Sequence, residues 1–562
     1  MRDAELVLRN GNVLTFDRSS RIASSVAIAN GRISRVGSDD EVARDLPPDA
    51  RTIDLRGRTA MPGFFDGHPH MDREGLKACA GIAISGLRSV DAIAAVVEGA
   101  AAKTAPGEWI VLTPVGDPPL RYFNDPKQLE EGRFPTRHDL DAVAPNNPVF
   151  IRSVWGWWST PPFPSVANTA ALRLMGITSS TRAPRNITIV KDAKGEPTGV
   201  FLETNRTPIL EYTLCKRVPR FTYEDRVKSV ALGSQLYSAL GTTAGYEGHG
   251  LTPALIRAYN QAGAEGSLSV RLYAPVSVPS PAKSVSEIKD LIYHWAAFAS
   301  GKGSGSGRFQ ANGVMLDLGD REVASTIAAE YPYEQWAGFF YQGLTDAEFV
   351  EIGCHAVRHG LRLNCITTDA PPVYSLERSL RLLEAVNDAV PIRDLRCVGI
   401  HLMSGTDDQL RRFRDLGLAA TMTPSLLHNH AKAFSLDGRG DDAMPIRRVL
   451  DAGIPVALST DNVPPSMLFA AWEALSRWDT VNQCAVGQSY LSREEALRLC
   501  TQTGHFLNWD EGNRGTIAEG YAADIVVLDG DPMTCDLVAL PRLPIDMTIV
   551  DGEIRHERGP AA

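Results

Sequence analysis

His68 and His70 stand one residue apart in MPGFFDGHPHMD (61–72), where an apolar run stops at a glycine turn. On an extended chain the side chains at i and i+2 point to one face, so both imidazoles can reach a single ion. Neutral imidazole suits Zn²⁺, with Zn–N bonds of about 2.0–2.1 Å, and catalytic zinc sites use three protein ligands plus water. Taken alone, the pair reads equally as a histidine-rich loop. Further side chains of the right chemistry are His249 in GYEGHG, Glu203 in VFLE, Cys365 in LNCITTD, His401 in VGIHLMS, His428 and His430 in SLLHNH, and Asp461 in VALSTDN.

Positioning such groups requires a rigid scaffold, and the chain is long enough for one at 562 residues. Its 44 % apolar and 22 % charged residues are ordinary for a globular protein. The net charge of −10 excludes a phosphate-tracking surface, so nucleic acid is not an expected partner. No stretch reads as a signal peptide or a membrane span, which points to a cytoplasmic protein with no membrane association. The eight cysteines lack CxxC spacing and read as reduced thiols.

The first sixty residues alternate polar and apolar positions between Asn-Gly turns, as in ELVLRNGNVLTF, and the last fifty return to that style in DMTIVDGEIRHE. Residues 1–61 and 513–562 are therefore expected to form one composite β-sandwich. Between them, apolar runs alternate with helical patterns: GTTAGYEG then TPALIRAYNQAG, LRLNCITTD then SLERSLRLLEAVND, RCVGIHLMS then TDDQLRRFRDLG. Such alternation predicts parallel βα units, and the polar residues gather where strands end, as in a (β/α)8 barrel over 62–512. A Pro- and Trp-rich stretch at about 105–222 breaks the rhythm and reads as an insertion over the barrel mouth. ASGKGSGSGRFQANG (299–313) reads as a flexible connector.

With the β-rich preamble, PGFFDGHPH and the closing GTIAEGYAADIVVLD, the sequence resembles the amidohydrolase superfamily, in its long-chain branch that includes N-substituted formamide deformylase-like proteins. AKGEPTGVFLE, YPYEQWAGFF, RFRDLGLAATMTPS and LDAGIPVALSTDN extend the resemblance over nearly the whole chain. It implies a distorted (β/α)8 barrel and a divalent metal, Zn²⁺ first, with Mn or Fe as alternatives. By carry-over, His68 and His70 are first-strand ligands, His401 the sixth-strand histidine and Asp461 the eighth-strand aspartate. Asp461 then serves as the acid–base group. On their own residues, His401 also reads as a buried histidine satisfied by a carbonyl, and Asp461 as a helix N-cap.

Three departures stand out. The branch's fifth-strand histidine falls on Cys365 if Asp369 keeps register, and a thiolate is a competent zinc ligand, though a packed thiol is the ordinary alternative. The bridging lysine position is Met315, which argues for one ion rather than two and leaves Glu203 and Asp317 as substitutes. Trp155, Trp157 and Trp158 replace a Gly-His pair and would suit a flat or apolar substrate, unless they form the insertion's own core. Trp157, His249, His428 and His430 are assigned to the lining of the site. The expected protein is a homodimeric hydrolase of an amide-type C–N bond in a small molecule. The alternatives are C–C cleavage, ester hydrolysis or deamination on the same fold, or a metal-poor binding protein.

Overall fold

The computed structural model describes residues 5–559 except 45, 48–49, 85, 114–124, 154–160, 306, 371–372, 429–442 and 481. The chain divides into two compact units, one made of residues 1–75, 230–320 and 338–562, the other of 76–229 and 321–337.

The first unit holds eight parallel strands in sequence order: Phe64–Asp66, Thr242–Tyr246, Arg271–Ser277, Phe309–Met315, Leu363–Ile366, Val398–Ile400, Ala419–Met422 and Val456–Leu458. The Gly67 N–H donates to Leu458 O at 2.9 Å, which joins the first strand to the eighth. This is the (β/α)8 barrel expected from the alternation. Alternate residues point inward, so Phe65, Ala244, Tyr246, Tyr273, Met315, Ile366, Val398, Ile400, Ala419 and Ala457 form one interior cluster. Self-capped helices follow the strands. Pro253–Ala264 starts at Thr252, and Val285–Ala299, Asp346–Arg358 and Asp407–Asp415 each carry a full capping box.

Strands from both chain ends share a six-stranded sheet in which Thr59–Pro62 pairs with Ile525–Leu528. A four-stranded sheet built from Leu6–Arg9, Ser25–Ala29, Arg32–Gly37 and Arg51–Asp54 packs with it around Leu8, Val26, Ile28, Ala60, Ile525 and Ile549. The Gly/Ser run expected to be a flexible connector is partly strand. Phe309–Met315 is the fourth barrel strand, and Ser304 bridges back to Ala311. Five of its seven residues pair with the third strand, and Val314 and Met315 pair with the fifth as well, which outweighs the local preference of glycine for turns.

The second unit holds a six-stranded sheet, Ile187–Lys191, Pro197–Glu203, Phe163–Ala167, Val149–Ile151, Ile110–Thr113 and Ile82–Ala83, with its own core of Ile93, Val97, Leu112, Leu140, Ile151 and Val166. The insertion expected at about 105–222 falls within this unit. Among the described residues no helix is long and apolar enough to cross a membrane.

Candidate metal centre

Five of the residues singled out in the sequence meet at the C-terminal ends of the barrel strands. His68 and His70 follow the first strand, His249 the second, His401 the sixth and Asp461 the eighth. Among the described residues, two groups of side chains bring their ligand atoms within 4.8 Å of one another: His68, His70 and His249, and His68, His401 and Asp461. His68 belongs to both. Asp461 Oδ1 lies 2.9 Å from His70 Nε2 and 3.8 Å from His68 Nε2.

Local backbone geometry turns these side chains together. His70, His401 and Asp461 have positive φ angles of 49°, 57° and 51°. Left-handed backbone is costly for a side-chain-bearing residue and persists where its surroundings hold it. For His70 the hold is Glu247, whose Oε2 accepts both the backbone N–H at 3.1 Å and Nδ1–H at 2.8 Å. For Asp461 it is an N–H bond to His68 O at 2.9 Å. For His401 it is Thr421, whose hydroxyl accepts the backbone N–H at 3.3 Å.

The same contacts select tautomers. An ionised Glu247 only accepts, so the His70 proton sits on Nδ1 and Nε2 keeps its lone pair. The Ser459 hydroxyl donates to Met422 O at 3.1 Å, so the Thr423 hydroxyl donates to Ser459 Oγ at 2.7 Å and accepts from His401 Nδ1–H at 3.2 Å. His401 Nε2 is then also a lone-pair donor. Asp66 accepts from His68 N–H at 2.9 Å, Thr460 N–H at 3.0 Å and the Thr460 hydroxyl at 2.5 Å, tying the first strand to the eighth.

Burial keeps the imidazoles uncharged. It lowers His70 to about 3 and His401 to about 4, and takes His68 and His249 well below their ordinary value, with neighbouring histidines and Arg73 adding to the effect. His68 Nε2 is buried without a hydrogen-bond partner, and His70 Nε2 faces Asp461 Oδ1 at 2.9 Å. Buried polar nitrogens are rarely left unsatisfied. His68 Nδ1 accepts from the Gly248 N–H at 3.2 Å, so its Nε2 carries the ring proton and must release it on coordination. With the free Nε2 lone pairs of His70 and His401 and the Asp461 carboxylate, this is a donor set that fits a divalent cation.

The remaining candidates lie elsewhere. His401 is not satisfied by a carbonyl, and Asp461 does not cap the next helix, because Ser466 caps Met467–Ser476. Cys365 is absent from both groups of convergent side chains. It alternates with Asn364, which accepts from Tyr246 Oη at 2.5 Å, and with Ile366 of the interior cluster, and burial beside Cys397 pushes its thiol up. Met315 fills the barrel interior. Asp317 is buried, and burial raises it to about 6. Glu203, in the second unit, accepts from Asn205 Nδ2 at 2.8 Å, Ile209 N at 2.7 Å and Leu210 N at 3.3 Å. His428 faces Glu473 at 3.3 Å and Thr480 at 2.6 Å. Trp157 and His430 lie outside the described residues. Glu247 and Asp66 escaped the sequence reading, although Glu247 stands two residues before His249 at a strand end, a spacing that repeats His68 and His70.

A parallel barrel bearing a His/Asp centre at its C-terminal rim is the architecture of a metal-dependent hydrolase. The sequence matches the amidohydrolase family over residues 51–556, and the chain belongs to that family. It is 26 % identical to N-substituted formamide deformylase of Arthrobacter pascens, over 99 % of each chain. It is 25 % identical to the putative amidohydrolase YtcJ of Bacillus subtilis (strain 168), over 98 % of this chain and 99 % of that one. Among solved structures, an uncharacterized metal-dependent hydrolase from Pyrococcus horikoshii OT3 superposes with a TM-score of 0.67 at 19 % identity, covering 95 % of this chain and 99 % of that one.

Proposed function

We propose that the protein hydrolyses an amide-type C–N bond in a small molecule, with one divalent cation held by His68, His70, His401 and Asp461. The observation that carries this reading is the convergence of His68, His401 and Asp461 at three strand ends, with His68 Nε2 buried and unpartnered. Imidazole and carboxylate donors favour Zn²⁺, and Mn²⁺ and Fe²⁺ suit the same set. The count of one follows from the sharing of His68 by both donor groups and from Met315 standing at the bridging position. A bound divalent cation supplies Lewis acidity, polarising a carbonyl and making water a stronger acid.

The protein's own groups do the rest. Asp461, 7 % exposed, presents Oδ1 toward both first-strand histidines and is the group placed to take a proton from attacking water and return it to the departing amine. His401, held by Thr423, stays neutral and fixed in orientation. The similarity to N-substituted formamide deformylase supports a C–N bond over the alternatives. Trp155, Trp157 and Trp158 motivate an aromatic or apolar group on the substrate.

The test is a panel of N-substituted formamides and other small amides with the Zn²⁺-loaded protein. Asp461→Asn is expected to lower kcat by about 10²–10⁴-fold, the range for loss of a positioned acid–base group. His68→Ala is expected to lose metal and activity together. Near-parental turnover by either variant removes the mechanism, and turnover of esters but not amides removes the bond assignment.

A further inference from the structure

Family resemblance directs attention to the fifth barrel strand for the next ligand, and among the described residues neither convergent group includes one from it. Cys365 is outside both convergent groups, and the Thr367 N–H and hydroxyl that follow are both bonded to Ile400 O. The second strand behaves differently. Its exit, Glu247-Gly248-His249, touches both first-strand histidines. Glu247 grips His70, and Gly248 N lies 3.2 Å from His68 Nδ1. A Cβ on residue 248 would stand 2.7 Å from His68 Nδ1 and 3.0 Å from Ile400 Cδ1, so only glycine lets this segment come so close. His249 then places its ring 4.6 Å from that of His68, parallel to His70 (8°, 5.5 Å) and stacked on Phe339 (22°, 4.8 Å). Its ligand nitrogen converges with those of His68 and His70. Rings stacked in this way cannot swing freely, which is the preorganisation a ligand needs more than a lining residue does.

The geometry points to His249 as a cation ligand supplied by the second barrel strand, standing in for the missing fifth-strand histidine. The coordination set is then drawn from the first, second, sixth and eighth strands. This inference rests on the metal centre described above, and its test separates the two. Full-length, metal-free protein is titrated with Co²⁺, and the affinity and the visible d–d absorption are recorded for the parent, His249→Ala, His70→Ala and His294→Ala, the last replacing an exposed surface histidine.

The expected result is a changed band and at least about 100-fold weaker binding for His249→Ala, beyond the 10–100-fold typical of partners that only hold a ligand. His294→Ala should match the parent. If His249→Ala keeps the parent's band and affinity while only KM changes, His249 merely lines the site and the inference is overturned. If His70→Ala also binds as the parent does, the metal centre itself is wrong. Should metal-free His249→Ala melt well below the parent, His249→Gln, which keeps polarity and bulk, carries the same comparison.

Discussion

Replacing Glu247 by glutamine tests whether the His70 tautomer is set by the carboxylate. One oxygen, Oε2, takes two hydrogen bonds from His70, at 3.1 Å from the backbone N–H and 2.8 Å from Nδ1. Glutamine can present its carbonyl oxygen at the same place, so both bonds survive as neutral ones. A bond to a charged acceptor contributes about 1.5–3 kcal/mol against about 0.5–1.5 for a neutral one, so the exchange loses roughly 1 kcal/mol per bond and about 2 in all. Burial raises the Glu247 carboxyl to about 7, with Arg73 opposing. A cation drawing on His70 Nε2 makes Nδ1–H more acidic and favours the ionised carboxylate, so the loss appears in metal affinity more than in folding. At about 1.4 kcal/mol per decade, Zn²⁺ should bind roughly 30-fold more weakly to Glu247→Gln. Competition against a chromophoric chelator at fixed pH measures this. An affinity within about threefold of the parent, far short of the usual 10–100-fold, would refute the assignment.

Asp66 and Glu473 supply two further tests. Asp66→Ala leaves the His68 N–H, the Thr460 N–H and the Thr460 hydroxyl without their acceptor in a fully buried setting, and about 3–6 kcal/mol of stability should be lost in urea unfolding. Asp66→Asn keeps an acceptor for both N–H groups and should stay within about 2 kcal/mol of the parent; equal losses in the two variants would show that side-chain volume, not hydrogen bonding, matters there. Burial lifts Glu473 to about 9, so near neutrality it is protonated in the folded protein and ionised in the unfolded chain. The folded state then binds one more proton than the unfolded state, and stability falls as pH rises from the ordinary carboxyl range to about 9, by about 1.4 kcal/mol per unit. Glu473→Gln lacks that slope, so its melting temperature should gain on the parent's between pH 6 and 9. A difference that does not change with pH would rule this out.

What the sequence made legible follows how local each signal is. His68, His70, His401 and Asp461 each end an apolar run, and the runs at the second, fifth, sixth, seventh and eighth strands are bounded by polar residues, so hydrophobic pattern alone marks them. The third and fourth strands were hidden. Arg271–Ser277 carries Pro275, and Phe309–Met315 follows a Gly/Ser run and contains Gly313 at φ +84°. In both, tertiary pairing overrides local propensity. Glu247, and the ligand position of His249, which reads from sequence only as a lining residue, were obscure for another reason. In GYEGHG local pattern gives only polar residues at a strand end, and their meaning comes from barrel closure, which carries Gly248 and Glu247 onto His68 and His70, 180 and 177 positions earlier in the chain. Cys365 shows the converse, because register by motif placed it at the site while strand alternation sets it one residue out of phase with the interior.

The interactions that close the barrel are also those that build the candidate site. Gly67 and Asp461 donate their N–H groups across the seam between the first and eighth strands, to Leu458 O and His68 O, while Asp66 clasps Thr460 and His68 together. The left-handed turns at His70, His401 and Asp461 begin where each strand has given up its last ladder bond. Strained backbone of this kind survives only where neighbours over-determine it. Here the neighbours are a carboxylate, two threonine hydroxyls and a carbonyl, each fixed by the strand next to the one it serves. Substitutions along the seam should therefore move metal affinity and stability in the same direction, whereas Asp461→Asn, which leaves the backbone bond to His68 O intact, should lower turnover and metal affinity while sparing stability.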